Sequence, residues 1–252
     1  MPDSGSASLS DAVLRPVREG NTFESTFGHL AMAIRLGVFA EGERLPAERE
    51  LAERLGVGRA TLREAIGALR ECGLVDTRRG RSGGTVVLYR GDPDPNSSAG
   101  GPGAAPNRAW IRYSPAEVAD VLGFRAVVEP GAAQLAASSD HSADQRAWLR
   151  AVLRATASAT DGAAQRVADS RLHLAIASLS GSAMLVEAVT HTHSILVELL
   201  AAVPLLSAGI AHSQDQHTEI VEAVLNGEHL RARAVMEEHC QATSVLLKAL
   251  LG

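Results

Sequence analysis

The chain reads as a mainly α protein: an N-terminal winged helix-turn-helix with a small β-hairpin wing, then a C-terminal all-α antiparallel helical bundle. Three observations carry this. Up to residue 73, apolar residues recur at helical spacing in three short runs separated by glycine. A basic, glycine-rich turn then joins two short β-prone runs. Beyond a Gly/Pro-rich stretch at 91–107 the pattern is almost purely helical to residue 250. The 252 residues suffice for two modest domains, each with its own core.

The elements follow in order. Residues 1–20 are rich in Ser, Gly and Asp and are expected as a mobile tail. Phe23, Phe27, Leu30 and Ile34 share one helical face, with Gly37 as the stop. Residues 47–55 form a short second helix behind Pro46, ended by Gly56; residues 59–72 form a third, ended by Gly73. Strands are expected at 74–77 and 85–89, around the turn RRGRSGG. The winged helix-turn-helix thus spans 21–90 and a linker 91–112. An all-α domain spans 113–252. Its helices are expected near 115–138, 143–159, 163–180, 183–202, 213–225 and 228–250, with breakers at Asp161-Gly162, Gly181, Pro204, Gly209 and Asn226-Gly227.

Composition excludes several classes. Aromatics at 3% supply no stacking platform for single strands or RNA. No run of about 18 apolar residues occurs, so no transmembrane helix is expected. The first twenty residues lack the apolar core of a signal peptide. Two cysteines, Cys72 and Cys240, fit a reducing cytoplasm rather than a disulfide framework. The net charge of −5 is unevenly spread: residues 1–90 carry 13 Arg against 12 Asp and Glu, whereas 91–252 carry 11 Lys and Arg against 17 acids. Arg78, Arg79, Arg81 and Arg90 form a basic patch without an acid, and eight of nine histidines follow residue 140. The Ala/Arg/Gly-rich composition, with Lys248 the only lysine, suggests a GC-rich bacterial genome.

The third helix can read DNA. At about 100° per residue, Arg59, Arg63 and Arg70 fall within about 40° of one another, while Leu62, Ala65 and Leu69 form an apolar stripe about 100° away. One side can be buried while the other offers guanidinium groups, the commonest major-groove readers of guanine. Arg59, Thr61 and Arg63 occupy the early part of the helix that reads bases. Arg49 would reach the groove edge or a phosphate. At the wing tip, Arg79, Gly80 and Arg81 would lie along the backbone or minor groove. The competing reading is helix-surface ion pairing, for instance of Arg59 or Arg70 with nearby glutamates.

The second half offers a candidate metal set. Asp169 and His173 lie four apart on one helical face. His217 and His239 lie on the last two helices. Folding these about Asn226-Gly227 leaves the two histidines only about 4–5 Å apart in height. Together the four would suit Zn²⁺, Ni²⁺, Mn²⁺ or a similar divalent ion. Spacing alone equally allows surface pairs or packed core histidines. His191 and His193 point to different faces, so at least one is not a ligand.

The run LPAERELAERLGVGRATLREAIGALRECGLVDTRRGRSGG resembles the DNA-binding domain of GntR-family bacterial transcription regulators. That resemblance places Arg49, Arg59, Thr61, Arg63 and Gly80 at DNA-contacting positions. Gly58 departs from the Ser or Thr that usually caps the recognition helix, and Gly is a tolerated cap. The patterns F-R-x-x-x-E-x-x-A-A-x-L-A-A from Phe124, D-x-x-x-H from Asp169, H-x-x-I-x-x-A-V-x-x-G from His217 and M-x-x-H from Met236 resemble the FCD ligand-binding domain of the FadR subfamily. The resemblance implies a divalent metal held by Asp169, His173, His217 and His239. It also implies a small carboxylate effector contacting the metal and Arg125, which could instead simply pair with Glu129. Ser182 stands where many relatives carry Asn, which alters the expected effector set.

The function expected is therefore a ligand-responsive DNA-binding transcription regulator, a repressor acting as a homodimer on a short double-stranded palindromic operator. An alternative on the same residues makes the metal ion itself the signal. A metalloenzyme is a remote alternative: no catalytic residues are assigned, because neither an H-E-x-x-H general base nor a nucleophile elbow is present.

Overall fold

The computed structural model describes residues 9–14, 16, 22–78, 84–91, 113–159, 161–201 and 207–251. They divide into two compact units, split between Gly91 and Asp92. Most of the expected linker, 92–112, and the wing-tip residues Arg79, Gly80 and Arg81 lie outside the described residues.

The first unit holds α1 (Leu9–Val13), α2 (Thr22–Arg35), α3 (Glu48–Leu55), α4 (Arg59–Glu71), β1 (Val75–Arg78) and β2 (Gly84–Val87). Within the segment expected as a tail, α1 departs from expectation. Leu9 and Val13, four apart, and Leu14 are buried, and Arg54 pairs with Asp11 and reaches the Ser10 hydroxyl at 3.3 Å. Polar composition hid an apolar i, i+4 pair that has a surface to cover.

Helix α2 turns Leu30, Ala33 and Ile34 inward against α4, which supplies Leu62, Ala65, Ile66 and Leu69. Burying each of the larger side chains stabilises by about 1.5–3 kcal/mol. Helix α3 stops at Gly56, whose φ of 66° is left-handed and whose N–H caps Ala52 and Glu53. Gly58 starts α4 in extended backbone without a side-chain cap. The tight turn thus rests on the glycines that flank Val57. The two strands pair antiparallel, Val75 opposite Val87 and Thr77 opposite Thr85. Residues 42–45 run along the far edge of β2, with Leu45 N–H donating to Thr85 O and Val87 N–H to Glu43 O, each at 2.9 Å.

Among the described residues the second unit holds six helices: α5 (Pro115–Ala137), α6 (Ala143–Ser158), α7 (Gly162–Leu179), α8 (Ala183–Ala201), α9 (Ser207–Leu225) and α10 (His229–Leu251). Ser114 with Glu117 and Ser142 with Gln145 form capping boxes that set where α5 and α6 begin, and Asp161 caps α7. Gly227, at φ 76°, turns α9 back onto α10 as expected. Helix α9 begins at Ser207, six residues before the expected start, and runs through Gly209. An isolated glycine in a helix costs about 1 kcal/mol, which the rest of a nineteen-residue helix readily offsets. The main core gathers Ala133 and Ala136 of α5, Leu149 of α6, Leu172 and Ile176 of α7, Ile220 and Val224 of α9 and Met236 of α10. Helix α8 is, among the described residues, the one helix long and apolar enough by length and composition to cross a membrane. Interspersed Thr, His and Ser break its apolar run without lowering its mean hydropathy enough. Val186, Val189, His193, Leu196 and Leu199 are buried within the unit, as in a core helix.

Candidate functional site

The first unit presents the third helix of the sequence reading, α4, as a two-sided element. Its apolar stripe is buried, while Arg59, Arg63 and Arg70 are exposed and Thr61 is half-buried. Among the described residues, Arg59 and Arg70 make no ion pair, so the pairing expected as their competing reading does not form. The ion pairs fall on the other two candidates. Arg63 Nε lies 2.7 Å from Glu48 Oε2, and Arg49 Nη1 lies 3.4 Å from Glu53 Oε1. Both pairs are solvent-exposed and worth at most about 1 kcal/mol. They hold two guanidinium groups on the α3–α4 surface without committing them. That surface also offers Arg59 and the open backbone of Gly58.

The second unit brings the four candidate ligands together from three helices: Asp169 and His173 from α7, His217 from α9 and His239 from α10. One ligand atom from each lies within 4.8 Å of all the others. The ring centroids of His217 and His239 are 4.7 Å apart, those of His173 and His239 5.0 Å, and those of His173 and His217 5.5 Å. All three histidines are buried and Asp169 is partly so. Asp169 Oδ1 approaches His217 Nε2 at 3.3 Å. His239 Nδ1 meets Gln216 Oε1 at 3.2 Å.

Burial pushes the His173 and His239 imidazoles below their ordinary range, against the opposing pull of Glu129 on His173 and of Asp169 on both. Burial works to raise the Asp169 carboxyl, but the close approach of His217 and the neighbouring imidazoles outweigh it and hold it below the carboxylate range. Three imidazoles around one carboxylate are a nitrogen-rich donor set for a divalent ion. The fit shows in the polar accounting. Both ring nitrogens of His173 and of His217 are buried without a hydrogen bond of adequate geometry. Such atoms ordinarily cost about 1–3 kcal/mol each when left without a partner, and a cation bound by one nitrogen of each ring removes part of that cost.

Beside the quartet lies a second group that sequence reasoning saw only in part. Arg125 Nε donates to Glu129 Oε1 at 2.8 Å, and His193 Nε2 meets the same oxygen at 3.0 Å. His193 Nδ1 reaches Ser170 Oγ at 3.3 Å, and the Cys240 thiol donates to Glu129 Oε2 at 3.8 Å. Glu129 is buried, yet Arg125 first, then His173 and His193, outweigh that burial and keep it well below the carboxylate range. Of the two expected alternatives for Arg125, the structure shows the pair with Glu129. Its Nε is engaged, while its Nη1 is buried with no hydrogen-bond partner. His191 is exposed and His193 buried, on different faces as expected. The Ser182 hydroxyl accepts the Leu185 N–H at 3.3 Å and so caps α8. The i, i+4 spacing of Arg125 and Glu129 was visible, but nothing in the sequence brings His193 to them.

Comparison with known proteins adds two family matches. Residues 22–87 match the gntR family of bacterial regulatory proteins, and residues 120–242 match the FCD domain. The chain is 32% identical over 234 residues to a Mycobacterium gastri protein described as the HTH-type transcriptional regulator RmpR, covering 90% of this chain and 80% of that one. It is 28% identical over 211 residues to the HTH-type transcriptional regulator LutR of Bacillus subtilis, covering 82% and 92%. The solved structure of Escherichia coli McbR/YncC shares the fold, with a TM-score of 0.54 at 16% identity over 93% of this chain and all of that one.

Proposed function

The chain belongs to the GntR family of bacterial regulatory proteins, with an FCD domain after its winged helix, and is a DNA-binding transcription regulator, not an enzyme; we propose that its helical unit senses a small carboxylate held on a divalent metal. The observation that carries this is the convergence of Asp169, His173, His217 and His239, with four buried ring nitrogens lacking hydrogen bonds. The charges support an anionic ligand. Arg125 and Glu129 neutralise each other, and Asp169 leaves one negative charge. A divalent ion turns that balance to one positive charge in a buried site, which favours a monoanion. The Arg125 Nη1 donor is available to a carboxylate. The ion, when bound, acts as an electrostatic anchor; Asp169 and the three histidines hold it, and Arg125 orients the acid.

On the DNA side, Arg59, Thr61 and Arg63 read bases, Arg49 grips the backbone, and Arg79, Gly80 and Arg81 serve as the wing contact. Two copies pair and place two α4 helices in successive major grooves of a palindrome. Such a protein works in the cytoplasm as a repressor. The test is DNA binding by the metal-loaded protein, followed by fluorescence anisotropy, across a panel of small carboxylic acids with and without chelator. The reading expects one acid to change DNA affinity several-fold to a hundredfold, an effect lost on chelation. If acids leave affinity unchanged while metal alone shifts it, the ion is the signal and the carboxylate reading fails.

A further inference from the structure

The Glu129 carboxylate is buried at a junction of several polar side chains. It faces groups from four helices: Arg125 on its own α5, His173 on α7, His193 on α8 and Cys240 on α10. One oxygen accepts from Arg125 and meets His193; the other lies 2.5 Å from His173 Nδ1, without the alignment of a full hydrogen bond. Arg125 and Glu129 are each only 1% exposed, so the carboxylate cannot swing to water. His173 is also one of the four candidate ligands. With Nδ1 turned to Glu129, its remaining donor atom is Nε2.

We infer that Glu129 is a positioning residue for the metal centre, holding the Nδ1 side of His173 so that Nε2 is the ligand atom. The inference rests on the metal reading above and deepens it. An imidazole that binds metal through one nitrogen is oriented by what its other nitrogen touches, and a carboxylate is a common partner. The neighbouring ligand shows the same arrangement, with Gln216 Oε1 at 3.2 Å from His239 Nδ1. His193 and Cys240 act on Glu129 rather than on the ion: His193 spans from Ser170 to Glu129, which locks α7, α8 and α5 around the carboxylate.

Glu129, His173 and His193 also have ligand atoms within 4.8 Å of one another, the spacing of a second metal site. The Arg125 guanidinium argues against it. A fixed cation 2.8 Å from a Glu129 oxygen repels a second one, and His193 already takes the same oxygen.

The test uses the full chain, stripped of metal and titrated with Co²⁺ in competition with a chromophoric chelator, with the visible Co²⁺ spectrum and the stoichiometry recorded. Wild type is expected to take one ion per protomer. Glu129→Gln is expected to weaken binding about 10- to 100-fold and to alter the Co²⁺ bands, with unchanged helical circular dichroism. Because that variant leaves Arg125 buried and unpaired, the double variant Arg125→Met/Glu129→Gln is measured beside it and is expected to show the same loss. Wild-type affinity and spectrum in a folded variant would overturn the positioning role while leaving the metal reading standing. Two ions in wild type, one of them lost in Glu129→Gln, would overturn it in favour of a second site. No ion in wild type would overturn the metal reading itself and the positioning role with it.

Discussion

Replacing Arg63 with Ala separates DNA reading from folding most cleanly. Its side chain is 69% exposed and its only ion-pair partner among the described residues is Glu48, itself 40% exposed. Losing such a pair changes folding stability by at most about 1 kcal/mol. A guanidinium paired with a guanine edge contributes about 1–3 kcal/mol of discrimination, or roughly 5- to 150-fold in affinity. The variant should therefore melt close to wild type and bind a duplex enriched from a random library far more weakly, while its affinity for a scrambled duplex barely moves. Glu48→Gln is the complementary perturbation. It frees Arg63 from the 2.7 Å pair and removes a negative charge beside the DNA surface. It should raise affinity by up to about fivefold, an effect worth at most about 1 kcal/mol. In the Arg63→Ala background that gain should shrink, because the two residues are in contact. Anisotropy titrations of the four proteins complete the cycle. Equal losses on enriched and scrambled duplexes would make Arg63 a phosphate contact, and no loss would remove it from the reading set.

Three further outcomes are expected. His217→Ala should lower metal content and the melting temperature of the helical unit while leaving specific DNA binding by α4 measurable; wild-type metal content would show the four-ligand assignment to be wrong. Leu62→Ala removes a fully buried side chain from α4 and should destabilise the first unit by about 2–5 kcal/mol while the helical unit keeps its metal affinity, checked by circular dichroism melts. The metal-free protein should lose stability in two stages as pH falls. His173 and His239 have folded pKa values below their unfolded ones, so the unfolded chain takes up protons first and stability drops below the ordinary imidazole range. Glu129 and Asp169 are also depressed on folding, so a second loss follows as pH drops through the ordinary carboxylate range. Stability that rises between neutral and acid pH would refute the neutral-imidazole assignment.

Much of this was legible because the signals are local. Gly56 and Gly227 mark turns that only a left-handed residue closes easily. Asp169 and His173 share a face by spacing alone. His217 and His239 come together because one short turn fixes the register of α9 against α10. What escaped is long-range. The link from His193 to Glu129 depends on how α8 packs against α5, and no periodicity states that. Helix α1 escaped because two buried apolar residues are too few to stand out from a polar segment. The choice of Arg63, rather than Arg59 or Arg70, to pair with a glutamate is set by the crossing of α3 and α4. Facing positions within α4 do not show it.

The most direct measurement is metal content by elemental analysis of the purified full-length protein, paired with a thermal shift on chelation. A metal-anchored sensor requires close to one divalent ion per protomer, a clear fall in melting temperature on chelation, and a small carboxylic acid whose stabilisation disappears with the metal. Protein that holds no ion, regains none from solution and melts identically with and without chelator would contradict it. Asp169, His173, His217 and His239 would then be packing residues of the bundle.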